Sequence, residues 1–454
     1  MKEPIVSISG IRGIFGESLT PEHIVKYTTA FAKYIGRKRI VIGRDGRLNG
    51  DLIEKIIEST LLFNGCEVIN IGIAPTPTIT LAVESLKAQG GISITASHNP
   101  QQWNGMKFIN SKGIFLDSDE NNLFLSYTND KGNNYVLVEK VKQIEYYPSF
   151  FEYHIKKVLK IKSINTKKIR KRKFKVVVDC ANSSGSVIVP ELLKNLGCKV
   201  IKIDCDGSGI FTRNPEPAPE NLKKTCKEVA KRKADLGIVI DPDADRLVII
   251  TEKGEPFGEE NTITAVVKHV LSRTKSKKRI AVVNLSTSRS VDDVVNTLGG
   301  KLYKSPVGEI NVIKKMIEVK AVIGGEGSGG VIVPQIHYGR DALCGIAVLL
   351  SEFAEFKGKV SDYKKALPEY CIRKNKIELP GTNADTIIGF LKSRYMNYPQ
   401  NHEDGLRIDF ESSWVNFRKS NTEPIIRVIT EAKTSKEAEA LQYKFLNEIK
   451  GFFK

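Results

Sequence analysis

The chain has 454 residues and a formal net charge of +18, and hydrophobic residues make up 41% of it. This length predicts several domains with packed cores, and no apolar run approaches the roughly 18 residues of a membrane span or the pattern of an export signal. Seven cysteines without a CxxC pair favour a reducing cytoplasm over a disulfide framework or a zinc site.

The positive charge is densest in three basic runs, at residues 37–39, 167–173 and 275–279. Each run precedes an apolar run where a strand would begin, whereas open α/β sheets bind ligands beyond the opposite end of their strands. We therefore interpret these runs as solvated surface and expect no nucleic-acid partner. A basic polyanion-binding protein is the alternative, although no aromatic residues are interleaved with the basic ones to support it.

An internal repeat organises residues 39–330. Each of its three copies opens with an apolar, strand-like run and continues, after a helix-length stretch, with a second run introduced by glycine. The third run of each copy ends in an unusual loop. The three loops are at residues 95–100, 241–246 and 324–330. Strands that alternate with helices predict right-handed βαβ units and a mixed or parallel sheet in each copy.

The expected fold class is therefore α/β, with three similar α/β domains and a C-terminal α+β domain around one central cleft. The four domains are predicted at residues 1–150, 151–252, 253–368 and 369–454. A helix-like link at 145–161 is expected to join the first two. In the last domain, antiparallel strands are predicted at 405–410, 413–417 and 425–429, and an amphipathic helix at 435–453.

The first loop, Thr-Ala-Ser-His-Asn-Pro at 95–100, presents the hydroxyl of Ser97 at the end of a predicted parallel strand. Loops in this position carry the chemistry of many α/β proteins. Taken alone, Ser97 and Asn99 could be only turn formers. The other unusual loops further along the chain favour a functional role for this one.

The second loop alternates three aspartates, Asp241, Asp243 and Asp245. In an extended segment this spacing places all three carboxylates on one side, where their repulsion would be severe without a cation. Oxygen ligands with no His or Cys nearby favour Mg²⁺, which keeps coordination positions open for phosphate oxygens. An EF-hand calcium loop, the alternative, needs glycine at its sixth position, where this chain has Arg246.

The third loop contains a G-x-G-x-x-G match at 325–330, which suggests a nicotinamide dehydrogenase as an alternative function. That fingerprint opens a helix, whereas the following run at 331–334 is β-branched and ends in proline. We therefore interpret Glu326 and Ser328 as hydrogen-bonding groups that suit a polyol.

A fourth loop, at 418–424, is rich in hydroxyl and amide groups and is flanked by Arg418, Lys419 and Arg427. Such groups suit a phosphate, with arginine as the bidentate clamp, and a charged hairpin tip is the alternative. Together the four loops supply a serine, a metal site, groups that bind a polyol and groups that bind an anion. Phosphoryl transfer to or from a sugar phosphate needs this set of groups. Lys107 and His98 are available for proton transfer, Lys107 only if its pKa is lowered or its role is paired with the metal site.

With these motifs the whole chain resembles the α-D-phosphohexomutase superfamily, and within it the phosphomannomutase/phosphoglucomutase and phosphoglucosamine mutase group. The resemblance rests on Ser-Gly-Ile-Arg-Gly at 9–13, on the loop at 95–100 with Asn-Gly-Met-Lys at 104–107, and on the three later loops. It implies a Mg²⁺-dependent enzyme of the isomerase class that interconverts hexose 1-phosphate and hexose 6-phosphate. Phosphoglucosamine mutase activity is the alternative within the group.

The resemblance also implies roles for individual residues. Ser97 would carry a phosphoryl group, and Mg²⁺ would bind it together with Asp241, Asp243 and Asp245. A 1,6-bisphosphate would form as the intermediate, with glucose 1,6-bisphosphate or the cognate hexose bisphosphate as activator. The residues expected to assist charge and proton handling are Arg12, His98, Lys107 and Arg246. The residues expected to bind the sugar phosphate are Glu326, Ser328, Arg418, Ser420, Asn421, Thr422 and Arg427.

One position of the sugar loop departs from the pattern of that family. Many relatives have a histidine two residues after the loop serine, where this chain has Gly330, and His337 is a nearby candidate to supply the ring. Ser-Asn-Thr at 420–422 favours the phosphomanno/phosphogluco branch, because the glucosamine branch usually has glycine in the middle. The preferred hexose, the oligomeric state and the phosphorylation of Ser97 stay open.

Overall fold

The structure is a computed structural model that describes residues 2–130, 132, 135–379, 383–419 and 425–451. It divides into two compact units, the first Met1–Thr262 with Ser328–Lys364 and the second Ile263–Gly327 with Lys365–Lys454. Within the described ranges, no helix is both long and apolar enough to cross a membrane.

The first sheet has seven strands in the order β1-β2-β6-β5-β3-β4-β7. Its strands are β1 Ile5–Ser7, β2 Gly10–Ile14, β3 Arg39–Arg44, β4 Glu67–Ile73, β5 Gly90–Ile94, β6 Trp103–Asn110 and β7 Ile144–Tyr146. The helices of this region are α1 Pro21–Tyr34, α2 Gly50–Phe63, α3 Thr76–Ser85, α4 Ser118–Ser126 and α5 Phe150–Val158. The predicted helical link at 145–161 is wrong at its start, because Glu145 and Tyr146 extend the sheet as β7, which pairs in parallel with β4.

Helix α1 shows how the local sequence places these elements. Pro21 occupies its first turn, where the missing N–H costs no hydrogen bond. Ile24, Tyr27 and Phe31 then recur at helical spacing and are buried in the core of the first sheet. The Phe31 ring lies 4.8 Å from that of Phe108 on β6, so the helix is fixed against the strand that carries Lys107.

The second sheet has the strand order β11-β10-β8-β9. Its elements in chain order are α6 Thr166–Arg172, β8 Lys175–Asp179, α7 Gly185–Asn195, β9 Lys199–Ile203, α8 Lys223–Lys231, β10 Leu236–Ile240 and β11 Leu247–Thr251. The third repeat is preceded by α9 Glu259–Ser272. Its elements are β12 Ile280–Asn284, α10 Ser290–Thr297, β13 Lys301–Ser305, α11 Glu309–Val319, β14 Ile323–Glu326, β15 Gly330–Ile332, α12 Ala342–Glu355 and α13 Val360–Lys365.

The predicted repeat is confirmed by strand pairing. In each copy the first strand (β3, β8 or β12) pairs in parallel with both the second and the third strand of that copy. The loops that follow β5, β10 and β14 therefore leave the carboxyl edge of their sheets, where α/β proteins bind ligands. The strand β15 after the glycine-rich loop also confirms that no helix opens there, which removes the basis for the dehydrogenase alternative.

The C-terminal region is an antiparallel sheet in the order β16-β20-β19-β18-β17 with two helices. Its elements are β16 Cys371–Glu378, α14 Ala384–Arg394, β17 Gln400–Asn401, β18 Leu406–Asp409, β19 Trp414–Lys419, β20 Ile425–Ala432 and α15 Ser435–Gly451. The three predicted strands and the terminal helix are confirmed. Strand β16 was not predicted, because it is an edge strand with a largely exposed, charged sequence and no clear apolar alternation. The expected fold class of three α/β domains and one α+β domain is confirmed.

Candidate active site

The Ser97 loop begins where the fully buried strand β5 ends. Ser97 is 2% exposed, and its φ of +50° lies in the left-handed region. A non-glycine residue holds this conformation only where its surroundings impose it. Here the Ser97 N–H donates to Thr95 Oγ1 over 2.8 Å, and Thr95 Oγ1 donates to Asp45 Oδ2 over 2.6 Å. These bonds fix the direction of the Ser97 side chain.

Arg47 binds backbone carbonyl groups of the same loop, and this residue was not predicted from the sequence. Its guanidinium donates to the carbonyl oxygens of Ser97 (2.7 Å), Asn99 (2.7 Å), Pro100 (2.7 Å) and Trp103 (3.0 Å). Its Nε also donates to Asp45 Oδ2 over 3.1 Å, and the side chain is completely buried. The available signal was its position just after β3, because β3 and β5 are parallel neighbours and their carboxyl ends meet.

The aspartate loop is a turn, and the prediction of an extended segment is wrong. Asp241 Oδ1 accepts the backbone N–H groups of Asp245 and Arg246 over 3.1 Å each, and Ala244 has a φ of +54°. The three aspartates are nevertheless buried, and one carboxylate oxygen of each lies within 4.8 Å of the others. The predicted convergence is confirmed, but its cause is that the chain wraps around the carboxylate of Asp241.

The structure brings Ser97 to this triad, since Ser97 Oγ donates to Asp241 Oδ2 over 3.2 Å. Two cations contact the other two carboxylates of the triad. Lys107 Nζ on β6 is 2.6 Å from Asp243 Oδ2 and 3.4 Å from Asp245 Oδ2, and Arg340 pairs with Asp245. Arg340 was not predicted, because it comes from a segment 95 residues away from its partner.

Charge compensation decides the protonation of these groups. Burial raises the pKa of Asp241, and repulsion by Asp245 and Asp243 raises it further. Burial acts in the same direction on Asp243 and Asp245, but the surrounding cations and hydrogen bonds, chiefly Lys107 for Asp243 and Arg340 for Asp245, together hold the pKa of each below its usual value. Burial alone would lower the pKa of Lys107, yet the two aspartates raise it. Lys107 is therefore paired with the aspartate loop, and its pKa is raised, not lowered.

The triad fits a hard divalent cation. Asp243 Oδ1 and Asp245 Oδ1 are buried and have no hydrogen-bond partner among the residues that the structure describes. Buried carboxylate oxygens without partners are costly unless a cation takes up their charge. Three convergent carboxylates without an imidazole or thiolate ligand are the donor set that Mg²⁺ prefers. The residues of this loop that could hold a metal ion are thus Asp241, Asp243 and Asp245.

Arg12 and His98 also lie at the Ser97 loop. Strand β2 pairs Arg12 with Gly105 on β6, and Arg12 Nη1 donates to Asn99 Oδ1 over 3.0 Å. His98 Nδ1 is 3.3 Å from Ser97 Oγ. Burial, followed by the charges of Arg246 and Arg12, lowers the pKa of His98 to about 3. His98 is therefore a neutral hydrogen-bonding group at neutral pH.

Arg246 and Ser328 belong to the same unit as Ser97. The half-buried Arg246 forms an ion pair with Glu216 over 3.6 Å. The carbonyl of Gly329, the neighbour of Ser328, accepts the N–H of Leu247 over 3.0 Å. This bond places the Ser328 loop beside the carboxyl end of the aspartate loop.

The space beside Gly330 is filled by Arg340, not by a histidine. A Cβ added to Gly330 would lie 2.3 Å from Arg340 Cδ, so Arg340 passes where a side chain at 330 would stand. His337 is buried, and its Nε2 lies 3.2 Å from Asp341 Oδ2. The suggestion that His337 supplies the missing ring is wrong, because its ring is engaged inside the protein.

The second unit contains the other predicted residues that the structure describes. Glu326 Oε1, at the end of β14, accepts Asn284 Nδ2 over 2.9 Å and the N–H of Gly308 over 3.3 Å. Arg418 forms an ion pair with Asp404 over 2.7 Å, and Asp404 also accepts the N–H of Val307 over 2.9 Å. Glu326 and Arg418 are thus connected through the turn that contains residues 307 and 308.

Arg418 and Arg427 face each other directly across β19 and β20. Like charges at opposed positions destabilise a sheet unless an anion compensates them. Asp404 already compensates Arg418, and Arg427 adds a second positive charge directly opposite it, an arrangement that suits a phosphate at this end of the sheet. Three further predicted phosphate ligands, Ser420, Asn421 and Thr422, lie outside the described residues.

Four consecutive family models match this chain. They are described as the phosphoglucomutase/phosphomannomutase alpha/beta/alpha domains I, II and III and the C-terminal domain, and they match residues 5–133, 152–254, 259–370 and 372–448. The chain belongs to the phosphoglucomutase/phosphomannomutase family. This result confirms the superfamily that the sequence motifs indicated.

Individual relatives in this family match almost the whole chain. A phosphoglucomutase/phosphomannomutase of Thermococcus kodakarensis is 36% identical over 442 residues, which cover 94% of each chain. A probable phosphoglucosamine mutase of Methanopyrus kandleri is 32% identical over 445 residues, which cover 97% of each chain. A crystal structure of a phosphoglucomutase/phosphomannomutase family protein from Burkholderia thailandensis, 24% identical, has the same fold with a TM-score of 0.84 over 98% of each chain. The expected class, an isomerase-type phosphomutase, is confirmed.

Proposed function

We propose that this phosphomutase-family protein is a Mg²⁺-dependent phosphohexomutase that works through a phosphoserine at Ser97 and a hexose 1,6-bisphosphate. The observation that carries the proposal is the contact of Ser97 Oγ with Asp241 Oδ2, over 3.2 Å, at three convergent buried carboxylates. A hydroxyl held at such a site is suited to phosphoryl transfer, because bound Mg²⁺ neutralises the charge that develops on the phosphoryl oxygens. Asp241, Asp243, Asp245 and Ser97 would hold the ion.

Two transfers complete the proposed reaction. First, a hydroxyl oxygen of the hexose monophosphate attacks the phosphorus on Ser97, the bond from Ser97 Oγ to phosphorus breaks, and the hydroxyl proton ends on Ser97 Oγ. The hexose 1,6-bisphosphate then turns over, and Ser97 Oγ attacks its other phosphoryl group while the sugar oxygen leaves and takes the serine proton. Hexose 1-phosphate and hexose 6-phosphate are thereby interconverted without net consumption of phosphate.

Neighbouring residues would orient and stabilise these steps. Arg47 and Thr95 hold the loop so that Ser97 Oγ faces the triad. Lys107 is a cation 2.6 Å from Asp243, where it would balance charge as the phosphoryl group moves. His98 would act as a neutral hydrogen-bond partner of Ser97 Oγ, since its low pKa makes it a poor proton carrier at neutral pH. Arg12 and Arg246 would add positive charge.

Recognition of the sugar phosphate is proposed for the remaining predicted residues. Glu326 and Ser328 would accept and donate hydrogen bonds to sugar hydroxyls. Arg418 would clamp the nonreacting phosphate with Ser420, Asn421 and Thr422. The direct cross-strand opposition of Arg418 and Arg427 supports a role for Arg427 in the same contact.

The substrate is proposed to be a glucose or mannose phosphate, with glucosamine phosphate as the second candidate. Ser-Asn-Thr at 420–422 and the similarity to the Thermococcus kodakarensis relative named phosphoglucomutase/phosphomannomutase support the first. The relatives of 32% to 34% identity named probable phosphoglucosamine mutase support the second.

A substrate panel tests the proposal. Purified protein is incubated with Mg²⁺, a trace of glucose 1,6-bisphosphate and the 1-phosphate of glucose, mannose or glucosamine in turn, and the 6-phosphate product is measured. Conversion of glucose or mannose 1-phosphate supports the first assignment, and conversion of glucosamine 1-phosphate alone supports the second. No conversion of any of the three would refute the proposed function.

A further inference from the structure

A buried polar cluster lies outside the groups that the proposed reaction uses. It consists of His154 on α5, His337, Asp341 and Cys344, all at most 3% exposed. His154 Nε2, His337 Nε2 and Cys344 Sγ lie 2.9, 3.2 and 2.9 Å from Asp341 Oδ2. The other carboxylate oxygen, Asp341 Oδ1, caps helix α12 by accepting the N–H of Leu343 over 2.8 Å.

The spacing in this cluster fits hydrogen bonds better than metal ligation. Two ligand atoms that each lie about 2.0–2.1 Å from a tetrahedral ion are roughly 3.3 Å apart. His154 and Cys344 approach Asp341 Oδ2 more closely than that, at 2.9 Å each, and His337 is also within hydrogen-bond distance. The second ring nitrogens also have partners, since Nδ1 of His154 is 2.9 Å from Thr78 Oγ1 and Nδ1 of His337 is 3.4 Å from Thr80 Oγ1. The cluster is therefore a hydrogen-bonded anchor around a single carboxylate.

This anchor adjoins the aspartate loop on two sides. On the α12 side, Arg340 pairs with Asp245, and the N–H of Ala342 donates to the carbonyl of Ala244 over 3.2 Å. On the α3 side, the Thr76 hydroxyl donates to Asp243 Oδ2 over 2.8 Å, and the Thr76 N–H donates to the backbone carbonyl of Asp243 over 3.0 Å.

Thr76 belongs to the same helix as Thr78 and Thr80, which hold the two histidine rings. A break at Asp341 would let α3 and α12 separate, and the Asp243 and Asp245 carboxylates would lose their fixed spacing. The charge of the cluster also supports a firm contact at Asp341. Burial would raise the pKa of Asp341, but His154 and His337 together hold it well below its usual value.

We propose that Asp341, gripped by His154 and His337, is a positioning residue that sets the geometry of the Asp243 and Asp245 carboxylates and thereby the affinity of the triad for a divalent cation. The inference rests on the proposed function only in that the triad binds such an ion. Partners in the outer shell of a metal site commonly change metal affinity by about 10- to 100-fold. Because Asp341 acts through Arg340 and α3, we expect a loss at the lower end, about tenfold.

The test uses Asp341→Asn in the full chain. Asparagine keeps the helix cap, but its NH₂ group faces the two ring N–H donors that the carboxylate accepted. Binding of Mn²⁺ is titrated by the electron paramagnetic resonance signal of the free ion. The matched control is Asp117→Asn, which alters another capping carboxylate, on α4 in the same unit. The dissociation constant for Mn²⁺ should rise about tenfold in Asp341→Asn and stay within about twofold of the wild-type value in Asp117→Asn. In Asp341→Asn, kcat at saturating Mg²⁺ should fall by a smaller factor than the apparent Mg²⁺ affinity.

The possible outcomes separate the inference from the proposed function. Wild-type protein that binds no Mn²⁺ refutes the metal site itself, whereas equal affinities of wild type and Asp341→Asn overturn only the positioning role. If Asp341→Asn does not fold, His337→Gln removes one ring contact and should weaken Mn²⁺ binding about threefold, with an unchanged constant again overturning the role. A stoichiometric transition metal in purified protein that is lost in His154→Gln would also overturn the hydrogen-bonded anchor.

Discussion

Replacement of Arg47 tests how the Ser97 loop is held. Arg47→Met removes the guanidinium that joins Asp45 to three carbonyl oxygens of the loop and to that of Trp103 on β6, while it keeps a buried apolar side chain of similar length. Arg47→Lys keeps the positive charge beside Asp45 but loses the planar fork that reaches all four carbonyls. Comparison of the two variants separates the effect of charge from that of geometry.

The magnitude follows from burial. Removal of one partner of a buried ion pair costs about 3–5 kcal/mol because the other charge remains uncompensated. Burial already raises the pKa of Asp45 with Arg47 present, so in Arg47→Met this carboxyl would take up a proton and the loss of stability should be about 3 kcal/mol. Since a misplacement of about 1 Å can cost about 100-fold in rate, kcat should fall about 100-fold or more in both variants, with KM for the sugar phosphate within about twofold.

The assay combines kcat with hydrogen exchange of the loop amides. The matched control is Arg44→Met, because Arg44 lies on the same segment and forms a mostly buried ion pair with Glu54 over 3.0 Å. Because this ion pair includes no residue of the Ser97 loop, kcat should stay within about twofold even if the protein is destabilised. Wild-type kcat in Arg47→Lys, or equal damage by Arg44→Met, would refute the reasoning.

Two further predictions follow from the same site and one from a helix outside it. Lys107→Met should tighten Mn²⁺ binding about tenfold, because it removes a unit positive charge within about 4 Å of the metal site. The same variant should have a lower kcat, and weaker Mn²⁺ binding in a titration would contradict the prediction. Gly330→Ala should destabilise the first unit by about 1–3 kcal/mol in thermal unfolding, because its Cβ would meet Arg340 Cδ at 2.3 Å. Gly389→Ala, at an exposed position of α14 with nothing within 4 Å of the added Cβ, should instead stabilise the protein by about 1 kcal/mol, because alanine favours the helix over glycine. A loss of stability at this position would contradict that expectation.

Much of the fold followed from local pattern. The three repeated apolar runs predicted the parallel strand pairs, because parallel strands that are buried on both faces have near-continuous apolar sequences. Strand β8, with its run of three valines, is an example. The edge strand β16 lacks that signal, and the N-terminal part of the link at 145–161 joined the sheet because β4 offered a free edge for β7.

The parts of the candidate site whose reactive side chains lie together in one short loop could be predicted from the sequence. The convergence of Ser97 and the three aspartates was predicted in this way. Arg47 and Arg340 were missed because their importance depends on which distant carbonyls or carboxylates they meet after folding. His337 was misjudged for the same reason, since its proximity in sequence to Gly330 says nothing about the buried carboxylate that its ring contacts.

The most direct measurement follows a labelled phosphoryl group. Protein is loaded from a hexose 1,6-bisphosphate with radiolabelled phosphate, the labelled residue is located by mass spectrometry, and unlabelled hexose monophosphate is then added in a single-turnover experiment. The label should be on Ser97 and should pass to the sugar at least as fast as kcat, and Ser97→Ala should take up none. Turnover at the wild-type rate with the label absent from Ser97, or with the label remaining on the protein, would contradict the account.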